Sequence, residues 1–470
     1  MASPNGLVCF TNCLLPQEDG SLVKRDLWID ESKGIIVDAQ KTFFQLKQRP
    51  GKVIDLDENI LSPGLMDIQI NGGYGFDFSV YEGDKAYIEG MQMMAERIVE
   101  TGVTSLLPTV ITQEKSLYPK LLPLLKPFST PRSATLLGWH AEGPFIEYAK
   151  RGAHAPPLLL SAPEGYETFK EVYGAENLVK ADEWTLPQGQ SLGVRVITAA
   201  PELPGVMDAL KILAENGVVM SIGHSVATTD AATLAVKQGA RLITHLFNAM
   251  PQFHHRDPSI IGLLGASPHL NSPDFIVLAE PPCEIDQVLS SKDPTSSRNG
   301  SRSPRSSLHL DKGQVADMSF ERPFYGIIVD GIHCHPNSVR LAYAAHPDGC
   351  ILVTDAMKIL DPNLEDGVHE WRDGQKFVKE GDKLYLEGTD TLAGSVVTLD
   401  KCIRNFCRFT GCSIGEAIRC ATYNPAKCLG IENRKGTLRP GADADLVILD
   451  RQGNVLSTWA RGKEIWNKKQ

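Results

Sequence analysis

The chain has 470 residues, a formal charge of −10 and a pI near 5.7, with 42% apolar residues. That length admits one large α/β barrel with additions or two to three ordinary domains, and the apolar share is enough for a large core. The acidic balance excludes nucleic acid and anionic membrane as expected partners, because both select a basic face.

No apolar run reaches membrane-spanning length, and the opening MASPNGLVCF lacks the charged and apolar regions of a signal peptide. The ten cysteines show no C-x-x-C spacing, which predicts reduced thiols and a cytoplasmic or similar compartment.

In chain order, Leu7 to Asp55 alternates apolar and polar residues between turn signals such as EDGSL and ESKG, the pattern of a small antiparallel sheet. Gly436 to Trp466 has the same character. Neither has enough strands to be stable alone, so residues 1–60 and 432–470 are expected to pair into one β-sandwich.

Between them, residues 61–431 repeat a strand followed by helical periodicity. The strand candidates are Gly64 to Ile70, Thr104 to Val110, Thr135 to Trp139, Val194 to Ala199, Val218 to Ile222, Arg241 to Thr244, Phe324 to Val329 and Ile351 to Thr354. Eight such units predict a (β/α)8 TIM-like barrel with its site on the C-terminal face. A doubly wound open sheet gives a similar pattern, but would not bring side chains from strands so far apart to one point. Residues 271–321 break the rhythm. Their Ser- and Pro-rich middle, SSKDPTSSRNGSRSPRSS, is expected to be a flexible insertion, with a serine-modified regulatory segment as the alternative.

The chemistry sits where strands end. LLGWHAEGPF has a strand ending at Glu142, VVMSIGHS delivers His224 and RLITHLF delivers His245. Two imidazoles and a carboxylate are the ligand set of a catalytic divalent metal, Zn first and Fe, Co or Mn as alternatives. A lone histidine is more often a packed residue; the shared position is what argues for ligands. In ILVTDA, Asp355 ends the eighth strand as a candidate general base and acid, with a helix N-cap as the plain alternative.

DGIHCHP places His333 after the seventh strand as a candidate donor to a carbonyl oxygen. His335 reads instead as a capping or surface residue, and His254 and His255 have no strand to aim them. Arg256, in HHRDP, is the candidate for a substrate anion. On the first strand Gln69 and Asn71 stand where ligating imidazoles would be expected, which predicts a vacant second-metal position, since an amide is a weak zinc ligand.

With these residues in place the chain resembles the amidohydrolase superfamily, and within it the enzymes that deacetylate N-acetylglucosamine 6-phosphate. The motifs that carry the likeness are PGLMDIQINGGYG, HAEGPF with KRGAH, SIGHS, THLFNAM with HHRDP, DGIH, VTDA, TLAGS and GTLRPGADADLVILD. The resemblance implies one divalent metal on Glu142, His224 and His245, Asp355 as base and acid, and His333 on the acetamido carbonyl. It implies substrate contacts at Ala153, His154, Asn248, Ala249, Arg256, Leu392, Ala393 and Gly394, with Arg256 on the phosphate. It further implies a homodimer in which a partner arginine completes the phosphate site. Two alternatives stay open: another N-acyl sugar or a cyclic amide as substrate, and an inactive scaffold disturbed by the insertion.

Overall fold

The protein is described here by a computed structural model covering residues 3–178, 193–267, 321–370, 376–389, 392 and 394–469. Its centre is a ring of parallel strands: β1 (Leu65–Ile70), β2 (Val103–Ile111), β3 (Trp139–Glu142), β4 (Val194–Ala199), β5 (Val219–Ile222), β6 (Ala240–Ile243), β7 (Phe324–Ile328) and β8 (Cys350–Val353). Each pairs with the next in sequence, as the chain-order reading expects of a barrel. The seam between β8 and β1 is closed by other bonds. Asp355 N donates to Gln69 O at 2.8 Å, and Thr354 Oγ1 donates to Asp67 Oδ2 at 2.6 Å.

Buried β-branched or leucine side chains line all of these strands except β3, which is Trp-His-Ala-Glu, and this is why most of them read as near-continuous apolar runs. Helices follow most of them, among them Asp84–Arg97, Val206–Glu215, Thr229–Lys237, Pro336–Ala345 and Leu399–Thr410. In the last, Leu399, Cys402, Ile403 and Phe406 form the i, i+3, i+4, i+7 stripe that packs inward.

The third strand starts later than the expected Thr135. Thr135–Leu136 pairs separately with Ser105 and Leu106, the chain turns at Gly138 with φ +107°, and pairing resumes at Thr109 with His140. A Cβ on Gly138 would lie 2.6 Å from Gly193 O, so the break depends on glycine. A three-stranded antiparallel sheet after β8, Gly367–Glu370, Lys376–Glu380 and Lys383–Leu386, was not anticipated. It has its own small core of Met357, Ile359, Phe377 and Leu384.

The chain ends build two further sheets. One orders Ile35–Val37, Leu27–Asp30, Leu7–Thr11 and Lys52–Asp55; the other joins Lys463–Asn467, Val455–Ala460 and Leu446–Leu449 to Ile60–Pro63, Leu14–Pro16 and Leu22–Lys24. They share one core, with Phe10, Ile29, Leu61, Leu446 and Trp459 in it. The fold is therefore a (β/α)8 barrel with a sandwich made from both ends. The expected insertion lies almost wholly outside the described residues, and no helix among those described is long and apolar enough to cross a membrane.

Candidate active site

Glu142 is the last residue of β3, and His140 precedes it on the same face because side chains repeat every two residues along a strand. The two part company in depth. His140 is fully buried, its Nε2 bonded to Thr198 Oγ1 at 2.7 Å and its Nδ1 3.2 Å from Ile68 O, so both ring nitrogens are engaged in the barrel interior. Burial pushes its pKa down to about 4, against the opposing pull of Glu142. A hydroxyl chain continues from Thr198 to Thr244 and Ser221, each link 2.6 Å.

His224 and His245 lie just beyond β5 and β6, with φ of +48° and +26°, in the left-handed region that non-glycine residues seldom enter. That turn points each ring into the mouth. Gly223 makes room for it, since a Cβ there would be 2.6 Å from Thr244 Cβ. The three side chains converge: Glu142 Oε1 lies 3.1 Å from His224 Nε2 and 3.1 Å from His245 Nε2, and the two Nε2 atoms are 3.0 Å apart. Their exposures of 3%, 7% and 5% make this a largely dry site.

The donor set fits a cation. Ligand atoms about 2.0–2.2 Å from one tetrahedral ion stand roughly 3.4 Å apart, within a few tenths of an ångström of these spacings. His224 Nδ1 faces Lys150 O at 2.7 Å; a carbonyl only accepts, so Nδ1 carries the proton and Nε2 keeps its lone pair for a ligand. Burial opposes the charge on Glu142, but hydrogen bonds and attraction from His224 and His245 hold its carboxyl well below the usual range. Burial likewise opposes protonation of His245, and the Glu142 contact overcomes it, raising that ring's pKa.

Asp355 follows β8 with φ +47°. Its Oδ1 accepts from Asn71 Nδ2 at 2.7 Å, which leaves Oδ2 for other work. Burial and the Glu142 charge push its pKa up to about 6, with His245, Asn71 and His333 pulling the other way. Gln69 Nε2 donates to Glu142 Oε1 at 3.2 Å. Both first-strand amides therefore act as donors to carboxylates of the site.

A model of the amidohydrolase family matches residues 60–465. The chain is 38% identical to the N-acetylglucosamine-6-phosphate deacetylase of Caenorhabditis elegans, over 98% of this chain and 95% of that one. The Homo sapiens protein of the same name is 38% identical over 97% and 95%. The chain belongs to the amidohydrolase family, among its N-acetylglucosamine-6-phosphate deacetylases. A Mycobacterium smegmatis deacetylase, solved as a mutant in complex with N-acetyl-D-glucosamine-6-phosphate, shares the fold, with a TM-score of 0.71, 23% identity and 98% coverage of each chain. Amidohydrolases are metal-dependent, and Glu142, His224 and His245 are the group among the described residues that can hold an ion.

Around this amidohydrolase centre, His154 is buried, 2.7 Å from Thr112 Oγ1, with its ring 4.7 Å from that of His224. Ala153 beside it is exposed. Asn248 Nδ2 reaches Leu246 O and Cys334 Sγ, while Ala249 O accepts from Ser225 N. Arg256 is exposed on a loop pinned by Asp257, whose Oδ1 takes bonds from Thr229 N, Thr229 Oγ1 and Ser259 N. No ion pair engages its guanidinium among the described residues. Leu392 and Gly394 lie on the strap whose Ser395 O accepts from Met357 N, next to Asp355; Ala393 is outside the described residues. His335 caps the helix Pro336–Ala345 by accepting from Asn337 N.

Sequence reasoning passed over two residues. His140 was legible from its two-residue spacing to Glu142. Asp330, bonded to His333 Nδ1 at 2.6 Å, was legible from the turn-forming Asp-Gly of DGIH.

Proposed function

We propose that the chain hydrolyses N-acetyl-D-glucosamine 6-phosphate to D-glucosamine 6-phosphate and acetate, with Glu142, His224 and His245 holding one divalent ion, zinc by its preference for this donor set. The observation that carries the reading is the dry convergence of those three side chains beside Asp355, in a chain 38% identical to deacetylases over nearly its whole length. When bound, the ion supplies Lewis acidity, which makes water nucleophilic near neutral pH and polarises the acetamide carbonyl.

The chain's own residues do the rest. Asp355 accepts the proton of the attacking water at Oδ2, while Asn71 holds Oδ1. It then delivers that proton to the departing amine nitrogen, the demanding half of amide hydrolysis. His333 steadies the carbonyl oxygen as charge builds on it. Arg256 takes the 6-phosphate, for which its planar fork suits two oxygens at once. Gln69 and Asn71, which each donate an N–H to a carboxylate of the site, stand in place of imidazoles at a second metal position that this reading takes as vacant, because an amide is a weak zinc ligand. A homodimer in the cytoplasm completes the proposal.

Acetate release from N-acetylglucosamine 6-phosphate, measured beside metal content, tests it. Turnover with about one metal per chain is expected. Near-equal efficiency on unphosphorylated N-acetylglucosamine would instead favour a different N-acyl substrate, since a phosphate anchor would then be idle.

A further inference from the structure

The seventh strand hands its chain to a loop built around one buried carboxylate. Asp330 has a side chain 1% exposed; its Oδ1 accepts from Ile332 N at 2.8 Å and His333 N at 2.9 Å, and its Oδ2 meets His333 Nδ1 at 2.6 Å. Asn405 Nδ2 donates to Val329 O at 2.9 Å, tying the base of the same loop to the helix Leu399–Thr410. Two backbone N–H groups already donate to Oδ1, so Asp330 serves this loop as an acceptor, and a carboxylate only accepts. Nδ1 is then the protonated nitrogen, and the ring is locked with Nε2 as its free end.

This has a chemical consequence for the proposed deacetylation, on which the inference rests. With Nδ1–H committed to Asp330, an Nε2 that donates to a carbonyl oxygen belongs to a ring carrying both protons. Its positive charge is balanced 2.6 Å away by Asp330. Charge-assisted donors of this kind are about twice as strong as neutral ones. We propose that Asp330 is the positioning residue of His333: it fixes the ring's orientation and its protonated nitrogen, so that His333 meets the developing oxyanion as a charge-balanced donor rather than as a neutral imidazole.

Asp330→Asn separates the two contributions. An amide keeps the backbone bonds through its oxygen but turns an N–H toward Nδ1, which moves the ring proton to Nε2 and removes the balanced charge. Wild-type turnover is measured first; absence of turnover would sink the deacetylase reading and not this one. Given turnover, kcat in Asp330→Asn should fall about 10- to 100-fold, with KM within about threefold and metal content unchanged. In a His333→Asn background, Asp330→Asn should cost nothing further. An unchanged kcat, or a full second loss in that background, overturns the proposal.

A readout on unaltered Asp330 covers the case in which Asp330→Asn fails to fold. In 15N-histidine spectra of the metal-loaded protein, the ring signal lost in His333→Asn should be protonated at Nδ1. A bare Nδ1 would mean that Asp330 is the donor, and the proposal fails.

Discussion

Asp355 differs from Glu142 in that its surroundings disfavour its charge, and Asn71 is the side chain that steadies it by a hydrogen bond. Its replacement by Asn should preserve shape and abolish proton transfer. Asp355→Asn is expected to lower kcat by about 10²- to 10⁴-fold while a substrate-binding titration stays within severalfold of wild type. Wild-type turnover in that variant would remove Asp355 from the mechanism. His224 is different in kind, because its Nδ1–H is fixed by Lys150 O and its Nε2 is aimed at Glu142. His224→Ala should bring metal content, read by atomic spectroscopy, well below one per chain and activity down by more than about 100-fold. Full metal occupancy in that variant would show that the ion sits elsewhere.

At the scale of elements, the seam between β1 and β8 carries a titratable bond. Asp67 is buried and accepts from Thr354 Oγ1 and Gln69 N; burial pushes its pKa up to about 7, against those hydrogen bonds. A carboxyl raised in the folded state favours the protonated form there. The stability it contributes is complete below about pH 4 and is lost as pH rises through about 7, with roughly 4 kcal/mol as the upper bound. Thermal melts from pH 4 to pH 8 should therefore fall more steeply for wild type than for Asp67→Asn, which keeps an acceptor for Thr354 without the charge. Parallel curves would mean that the seam relaxes around the charge.

For the whole molecule, the two ends of the chain meet in one core. Trp459, 3% exposed, packs edge-on to Phe10 with centroids 5.1 Å apart, and Leu446–Leu449 pairs with Ile60–Pro63. Trp459→Ala should cost about 3–5 kcal/mol in denaturant unfolding. A loss below about 1 kcal/mol would mean that the ends do not share a core in solution. Removal of the ion by a chelator should lower the melting midpoint and abolish activity, with about 4 kcal/mol of stability at stake at a thousandfold excess over Kd. Re-addition of a divalent ion should restore both.

What the sequence by itself determined follows from local rules. Apolar runs of strand length, each closed by small or polar residues, specify the barrel, and the identity of the residue after each run specifies Glu142, His224, His245 and Asp355 as one group, because strand ends of a barrel share a face. Matching patterns at the two termini specify the sandwich, since neither half can bury its apolar side alone. The tertiary structure decided what depends on partners distant in the chain. His140 and Glu142 are equivalent by strand period, and only depth in the barrel, where Thr198 and Ile68 O occupy both nitrogens of His140, separates the two. Gln69 and Asn71 show as missing imidazoles in the sequence, and become donors only when β1 lies between β2 and β8. The break at Gly138 depends on Gly193, fifty-five residues on, coming within contact distance, and no local pattern records an approach of that length.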